Sequence, residues 1–151
     1  MIEENRLKLR AVAAEDIEVL STLLQDGLVA ASDLHHEKDE ASFVMAINRF
    51  CWEQAIDGVS ETQPNRCLCG LMVGHVKHVS QRGFSAGANQ FYNLLSITYE
   101  KTKENEKALN RLTFTFSDGY GIRLTVDDLA LIVQDIAVPH PGLARPQHNL
   151  S

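Results

Sequence analysis

One short segment combines a cation, an acid and the single tryptophan of the chain: Asn48-Arg49-Phe50-Cys51-Trp52-Glu53. Arginine and tryptophan are frequent at binding hot spots, and a guanidinium can hold an anionic group through two parallel hydrogen bonds. The competing interpretation is that Trp52 fills the core beside Phe50, while Arg49 pairs with an acidic neighbour. Arg49, Trp52 and Glu53 are therefore candidate binding residues.

Basic and sulfur-containing side chains form a second group further along the chain. Thiolate and imidazole are good zinc ligands, and Cys67 and Cys69 precede His75 and His78. However, cysteines at alternate positions of a strand lie too far apart for easy joint ligation, and His75 and His78 project from opposite faces of an unbroken strand. The spacing disfavours a metal site, and no metal or cofactor is predicted. Arg66, His75 and His78 remain candidate binding residues.

No catalytic residue is predicted. A cysteine nucleophile needs a neighbouring base and a lowered pKa, and no recognisable nucleophile motif surrounds any of the three cysteines. Buried structural thiols are the favoured interpretation. The glycine-containing segment 83–87 lacks the lysine and the following apolar helix that a phosphate-binding loop requires.

Composition narrows the class of protein. The 151 residues are 44% hydrophobic and 23% charged, with a net charge of −6, which is typical of one globular domain. No apolar run approaches the roughly 20 residues of a membrane span, and no signal peptide is recognisable. An odd number of cysteines without an export signal predicts reduced thiols and a cytoplasmic location. The negative charge disfavours nucleic acid, which leaves a protein or a small anionic ligand as the partner.

The elements that must position these residues begin with a strand over 6–12 and a helix that follows it. Ile17, Leu20, Leu23 and Leu24 recur with helical spacing, and Asp16 lies in the first turn, where carboxylates favour the helix dipole. Gly27 is predicted to end the helix in the left-handed conformation.

Extended segments dominate the middle of the chain. Apolar and β-branched residues predict strands over the ranges 28–34, 42–52, 67–79 (broken at Gly70 and Gly74) and 91–99. Two polar segments are interpreted as solvated connections, namely a hairpin loop over 35–40 and an exposed turn over 100–107.

A β-hairpin gives the clearest local pattern. A three-residue loop at Ser117-Asp118-Gly119 pairs Phe114 with Ile122, so that both apolar rows share one face of the hairpin. A two-residue loop would separate the two rows. The longer loop also places Gly119 at the left-handed position of a type I turn with a G1 bulge.

A second helix is predicted after this hairpin. Thr125 can cap it, and five residues form its apolar stripe: Val126, Leu129, Ile132, Val133 and Ile136. Pro139 ends the helix. Residues 1–138 are thus predicted to form one α+β domain, and 139–151 a disordered tail that contains proline.

At this point the sequence resembles a known family, domain of unknown function 2948, found mainly in alphaproteobacteria. The residues that carry the resemblance are Leu7-Lys8-Leu9 with Asp16, Leu24-Gln25-Asp26, Asn48-Arg49-Phe50 with Trp52-Glu53, and Asp128-Leu129 before Pro139-His140-Pro141. The resemblance implies a free-standing, cytosolic, single-domain bacterial protein and carries over no catalytic residues.

The predicted architecture is α+β, with a largely antiparallel, strongly bent sheet or split barrel of about seven strands. An N-terminal helix and a C-terminal capping helix complete it, in a pleckstrin-homology-like manner; a flatter sheet with both helices on one face is the alternative. The favoured function is a non-catalytic binding or protein-interaction module, with homodimerisation as an option. The alternative is a small enzyme or ligand-binding protein whose site is built from Arg49, Arg66, His75 and His78.

Overall fold

The computed structural model describes residues 7–50, 66–83 and 90–136. Within these ranges the chain forms one α-helix and ten strands, in the order β1 Lys8–Ala11, α1 Ala14–Leu24, β2 Leu28–Ala30, β3 Leu34–Glu37, β4 Ser42–Phe50, β5 Arg66–Val73, β6 Val76–Arg82, β7 Phe91–Glu104, β8 Lys107–Phe116, β9 Gly121–Val126 and β10 Leu131–Asp135. The predicted antiparallel α+β class is confirmed. The predicted strand number and the second helix are wrong.

The strands form a single sheet that bends back without closing. Its order is β1-β10-β5-β4-β2-β7-β8-β9-β6, with β3 pairing the free part of β4, and every described pairing is antiparallel. Only Gly74 and His75 separate β5 from β6, although β6 is the far edge of the sheet. The sheet must therefore curl strongly to bring that edge beside the end of β5.

Helix α1 packs its apolar stripe into the concave side of this sheet. Ile17, Leu20 and Leu24 are buried, as the helical spacing predicted. Asp16 Oδ2 accepts hydrogen bonds from the backbone N–H groups of Val12 and Ala13, at 3.0 and 3.1 Å, and so satisfies donors at the helix start.

The predicted left-handed cap at Gly27 is wrong. Asp26, one residue earlier, has the positive φ of 68°. Gly27 is needed for a different reason, since a Cβ there would lie 2.6 Å from Cγ2 of Ile47 on β4. The glycine lets the chain leaving α1 pass against the sheet.

The hairpin of β8 and β9 has the predicted register. Phe114 is opposite Ile122, Leu112 is opposite Leu124, and all four side chains are buried. The turn itself differs, because Asp118 as well as Gly119 has positive φ, at 62° and 81°. Two consecutive left-handed residues are typical of a type I′ turn, not of the predicted type I turn.

The predicted C-terminal helix is instead the end of β9, a short connection and β10. Leu131, Val133 and Asp135 are buried, while Ile132 and Gln134 between them face the other side, which is the alternation of a strand. β10 is hydrogen-bonded to β1 on one side and to β5 on the other. The β-branched pair at 132–133 suits this pleated environment better than a helix. The pleckstrin-homology-like interpretation depended on that capping helix, so the structure gives it no support.

Two predicted polar connections are largely strand. β7 and β8 continue as a paired ribbon to a turn at Asn105 and Glu106, through most of the segment interpreted as an exposed turn. Residues 34–37 form β3, so only the end of the predicted 35–40 loop is a turn. Backbone ladders need no apolar side chains, and opposite charges such as Glu100 and Arg111 lie directly across the ribbon.

Candidate functional site

Arg49 and Asp135 form an ion pair in the interior of the protein. Arg49 Nη2 lies 3.1 Å from Asp135 Oδ2, and Nε lies 3.3 Å from Oδ1, so the guanidinium meets the carboxylate through both of its oxygens. Both side chains have an exposed fraction of 0%. Asp135 Oδ2 also accepts the backbone N–H of Leu7 at 2.8 Å, and Arg49 Nη1 donates to the carbonyl of Phe50 at 3.0 Å.

The strand registers explain how these two residues meet. On β5, Cys67 is opposite Arg49 of β4, and Cys69 is opposite Asp135 of β10. The pair therefore reaches diagonally across the inner face of β5 and joins strands that do not contact each other by backbone. The sequence had suggested that Arg49 pairs with an acidic neighbour, but Asp135 was missed because its segment resembled a helix. The guanidinium is occupied by this internal carboxylate.

Arg66 lies on the opposite, outer face of the sheet. Its guanidinium carbon is 3.9 Å from the ring centre of Phe50, and Nη1 donates to the carbonyl of Asn48 at 2.8 Å. Burial lowers the pKa of Arg66 from its usual range, and the charge of Asp26 partly opposes this. These contacts hold Arg66 against the end of β4.

The other candidate residues are not brought to these arginines. His75 lies in the connection after β5, beyond the strand that begins at Arg66, and a strand of that length spans roughly 23 Å. His78 is on β6, opposite Thr125. The four residues of the alternative site thus do not share one cavity. Trp52 and Glu53, like the predicted tail 139–151, lie outside the described residues.

The cysteines of β5 differ in chemical state. Cys67 is disulfide-bonded, so the expectation of reduced thiols is wrong at this position. Cys69 is free and buried, and burial raises the pKa of its thiol to about 12, with Asp135 adding to the increase and Arg49 opposing it. A thiol with so high a pKa is a poor nucleophile at neutral pH.

The outer face of β4, β5 and β10 carries a continuous apolar surface, which we call the β4–β5–β10 face. The registers align three rows across it: Val44, Met72 and Ile132; Ala46, Gly70 and Gln134; Asn48, Leu68 and Ile136. None of these nine residues is charged. Met72, Leu68 and Ile136 are 44%, 40% and 53% exposed.

A shallow groove of about 560 Å³ runs over this face. The middle row is low because Ala46 and Gly70 are small, and the Ile136 side chain leans over Gly70, within 3.3 Å of where a Cβ would be. Asp33 and His35 border the groove. Contiguous exposed apolar surface of this kind usually marks an interaction site, whereas scattered apolar residues do not.

Other site types find little support in the described ranges. Between residues 7 and 136, leaving out 51–65 and 84–89, no three His, Cys, Asp or Glu side chains come together in a way that could hold a metal ion. Over the same ranges no helix has the length and apolarity to cross a bilayer.

Comparison with known proteins gives a family without an activity. The model of the family described as protein of unknown function (DUF2948) matches residues 7–148, which is nearly the whole chain. No curated protein matches the chain.

Proposed function

The chain belongs to the DUF2948 family, whose description assigns no activity, and we propose that it is a non-catalytic protein-interaction module that pairs with a second copy of itself. The observation that carries the proposal is the uncharged, apolar β4–β5–β10 face, exposed at Leu68, Met72 and Ile136. The bacterial setting expected from the sequence is part of the same proposal, whereas the disulfide at Cys67 removes the argument from reduced thiols for a cytoplasmic location.

Charge favours a second copy as the occupant. Each chain has a net charge of −6, so two copies repel one another over most of their surfaces. The three rows of the β4–β5–β10 face contain no charged residue, and Arg10 and Lys8 of β1, which continue two of these rows, lie at the edge of the contact. Asp33 and His35 on the rim give each copy one acidic and one imidazole group near the edge of the contact.

The shape of the face is compatible with two-fold symmetry. A two-fold axis along the low middle row would place the Val44, Met72 and Ile132 row of one copy on the Leu68 and Ile136 row of the other. Each bulky row would then lie beside the trough over Gly70. Such a contact is isologous, which is the usual form of a homodimer.

The size of the face sets the expected affinity. Three strands about 4.8 Å apart and five residues long make a face of about 15 by 17 Å, so two copies would bury roughly 500 Å² through it, below the roughly 1,200 Å² of specific stable interfaces. We therefore expect a reversible dimer that forms at micromolar or higher concentrations and dissociates on dilution.

Sedimentation velocity of the full chain from about 1 to 500 μM tests this proposal. The wild type should change from monomer to dimer, and Met72→Lys and Leu68→Lys should remain monomeric because each buries a cation in the contact. Val19→Lys is the matched control, since Val19 is 60% exposed on α1, away from the face. A wild type that stays monomeric throughout, or a Val19→Lys variant equally impaired, would overturn the proposal.

A further inference from the structure

We propose that the outer surface of the other half of the sheet binds a phosphate group, in a depression between β6, β9 and β8. The depression has a volume of about 180 Å³ and is lined by Ser80, Gln81, Arg82, Thr113, Gly121, Ile122 and Arg123. It lies on different strands from the β4–β5–β10 face, and the inference does not depend on dimer formation.

The registers place two hydroxyls on either side of one guanidinium. Arg123 on β9 is opposite Ser80 of β6 and opposite Thr113 of β8. Its chain neighbours Ile122 and Leu124 are buried in the core, so Arg123 projects outward. Directly opposed side chains in antiparallel strands have Cβ atoms about 5 Å apart, so the three polar groups can reach one small ligand.

Gly121 leaves room on the surface of β9 for a second guanidinium, that of Arg82. Arg82 is opposite Gly121, two residues from Arg123 along β9. The Arg82 guanidinium lies over this glycine, with Nη2 3.9 Å from where a Cβ would be. Gly121 is buried despite its outward position, because no side chain separates its backbone from Arg82. Arg82 thus lies across β9 at Gly121, and it lines the same depression as Arg123.

Neither of these exposed arginines is neutralised by the protein. In the described ranges the ion pairs within 4.0 Å are Arg49 with Asp135 and Lys77 with Asp127, so Arg82 and Arg123 have no carboxylate partner there. Both guanidiniums are therefore available to an anionic ligand at the depression. Arg111, opposite Thr125 on the same face, does not line the depression and lies directly across from Glu100 of β7.

The donors suit a tetrahedral oxyanion. Two guanidinium forks can each give two charge-assisted hydrogen bonds to phosphate oxygens, and the hydroxyls of Ser80 and Thr113 can donate to the remaining lone pairs. Two guanidiniums at one small depression fit a single phosphate group, whereas nucleic acids require many phosphate contacts. The depression is shallow, so any organic part of the ligand would extend into solvent.

Amide chemical-shift titration with inorganic phosphate at constant ionic strength tests the site. The Gly121 amide should shift saturably, and Arg123→Gln and Arg82→Gln should each weaken binding about tenfold or more through the loss of charge-assisted hydrogen bonds. Thr113→Val, which keeps the shape of the side chain, should weaken binding several-fold. Phenyl phosphate in a parallel titration distinguishes the source: binding as tight as that of phosphate indicates that the depression takes an organic monoester, and binding at least tenfold weaker indicates orthophosphate.

The matched control is Arg10→Gln, since Arg10 is an exposed arginine on β1 at the far end of the sheet. This variant should bind phosphate as the wild type does, and acetate at the same ionic strength should bind at least tenfold more weakly than phosphate. Shifts that never saturate, equal binding of acetate, or equal losses in Arg10→Gln and Arg123→Gln would each overturn the phosphate site. Because the depression and the β4–β5–β10 face lie on different strands, failure of the titration leaves the dimer proposal untouched, and the reverse holds as well.

Discussion

Arg49 on β4 holds both carboxylate oxygens of Asp135 on β10 across the inner face of β5, at 3.1 and 3.3 Å. The same carboxylate accepts the backbone N–H of Leu7, so one buried group joins β10, β4 and the segment leading into β1. On the other side of these strands lies the β4–β5–β10 face. The ion pair therefore aligns β10 beside β5, and with it Ile132 beside Met72.

Asp135→Ala should destabilise the protein strongly. It leaves the Arg49 guanidinium buried without its carboxylate, which costs about 3–5 kcal/mol. The double variant Arg49→Met with Asp135→Leu removes both charges and should recover most of that loss, because hydrophobic replacements of buried ion pairs are often neutral or stabilising. Urea denaturation measures the free energy of unfolding of both variants. A decrease of less than about 1 kcal/mol for Asp135→Ala would show that the ion pair does not stabilise the arrangement of β4 and β10.

Gly27→Ala should destabilise through a steric clash. The new Cβ would lie 2.6 Å from Ile47 Cγ2 and 3.1 Å from the carbonyl of Leu24, so neighbouring groups must move, at a cost of about 1–3 kcal/mol. Gly74→Ala is the matched control, because its Cβ would approach no atom closer than 3.9 Å. Thermal unfolding should separate the two variants, and equal melting temperatures would contradict the close-approach explanation.

Phe114→Ala should remove the centre of the core on the β8–β9 hairpin. Phe114 is fully buried opposite Ile122, and truncation of such a side chain costs about 3–5 kcal/mol. Thr113→Ala, one residue away on the solvent side, should change the free energy of unfolding by less than about 1 kcal/mol. Comparable losses in chemical denaturation would place the two residues in similar environments, against the observed register.

Cys69 should resist alkylation in the folded protein. Its thiol has a pKa raised to about 12 by burial, so almost no thiolate is present at pH 8. Iodoacetamide followed by mass spectrometry should label Cys69 only after unfolding in denaturant. Rapid labelling of the native protein would show that the thiol is accessible and ionised.

The raised pKa of the Cys69 thiol also makes the stability of the protein depend on pH. Because the folded pKa lies above the unfolded value of 9.0, the unfolded chain loses its proton first as pH rises. The contribution of Cys69 is thus complete below pH 9 and is lost between pH 9 and about 12. Cys69→Ala should flatten this part of the stability profile in urea denaturation. An unchanged slope would contradict the assignment.

Sequence patterns predicted an element correctly where the spacing of its apolar residues matches the side chains that the fold buries. Helix α1 followed from its apolar stripe, and the β8–β9 register followed from matching Phe114 to Ile122 on one face. They failed over 125–136, because Leu129, Ile132, Val133 and Ile136 fit a helical stripe as well as part of a strand. Strand pairing on both sides of β10 resolves that ambiguity, and single-sequence spacing contains no information about it.

The candidate surfaces show the same division. From sequence, Arg49 was equally compatible with a ligand site and with an internal ion pair. Its partner Asp135 lies 86 residues away and became identifiable only once β10 was placed beside β5. Arg82 and Arg123 were not predicted as site residues, because they are 41 positions apart and are brought close only by the β6–β9 register.

The sequence alone determined the class of the molecule: a charged, antiparallel α+β chain with one helix near its start and a precisely matched hairpin near its end. Composition and short-range periodicity carry that information, since each depends on residues that are close along the chain. Tertiary structure decided which apolar rows stay exposed, which arginine is neutralised and which are not. Those outcomes depend on long-range strand pairing, where a shift of one residue moves every side chain to the opposite face.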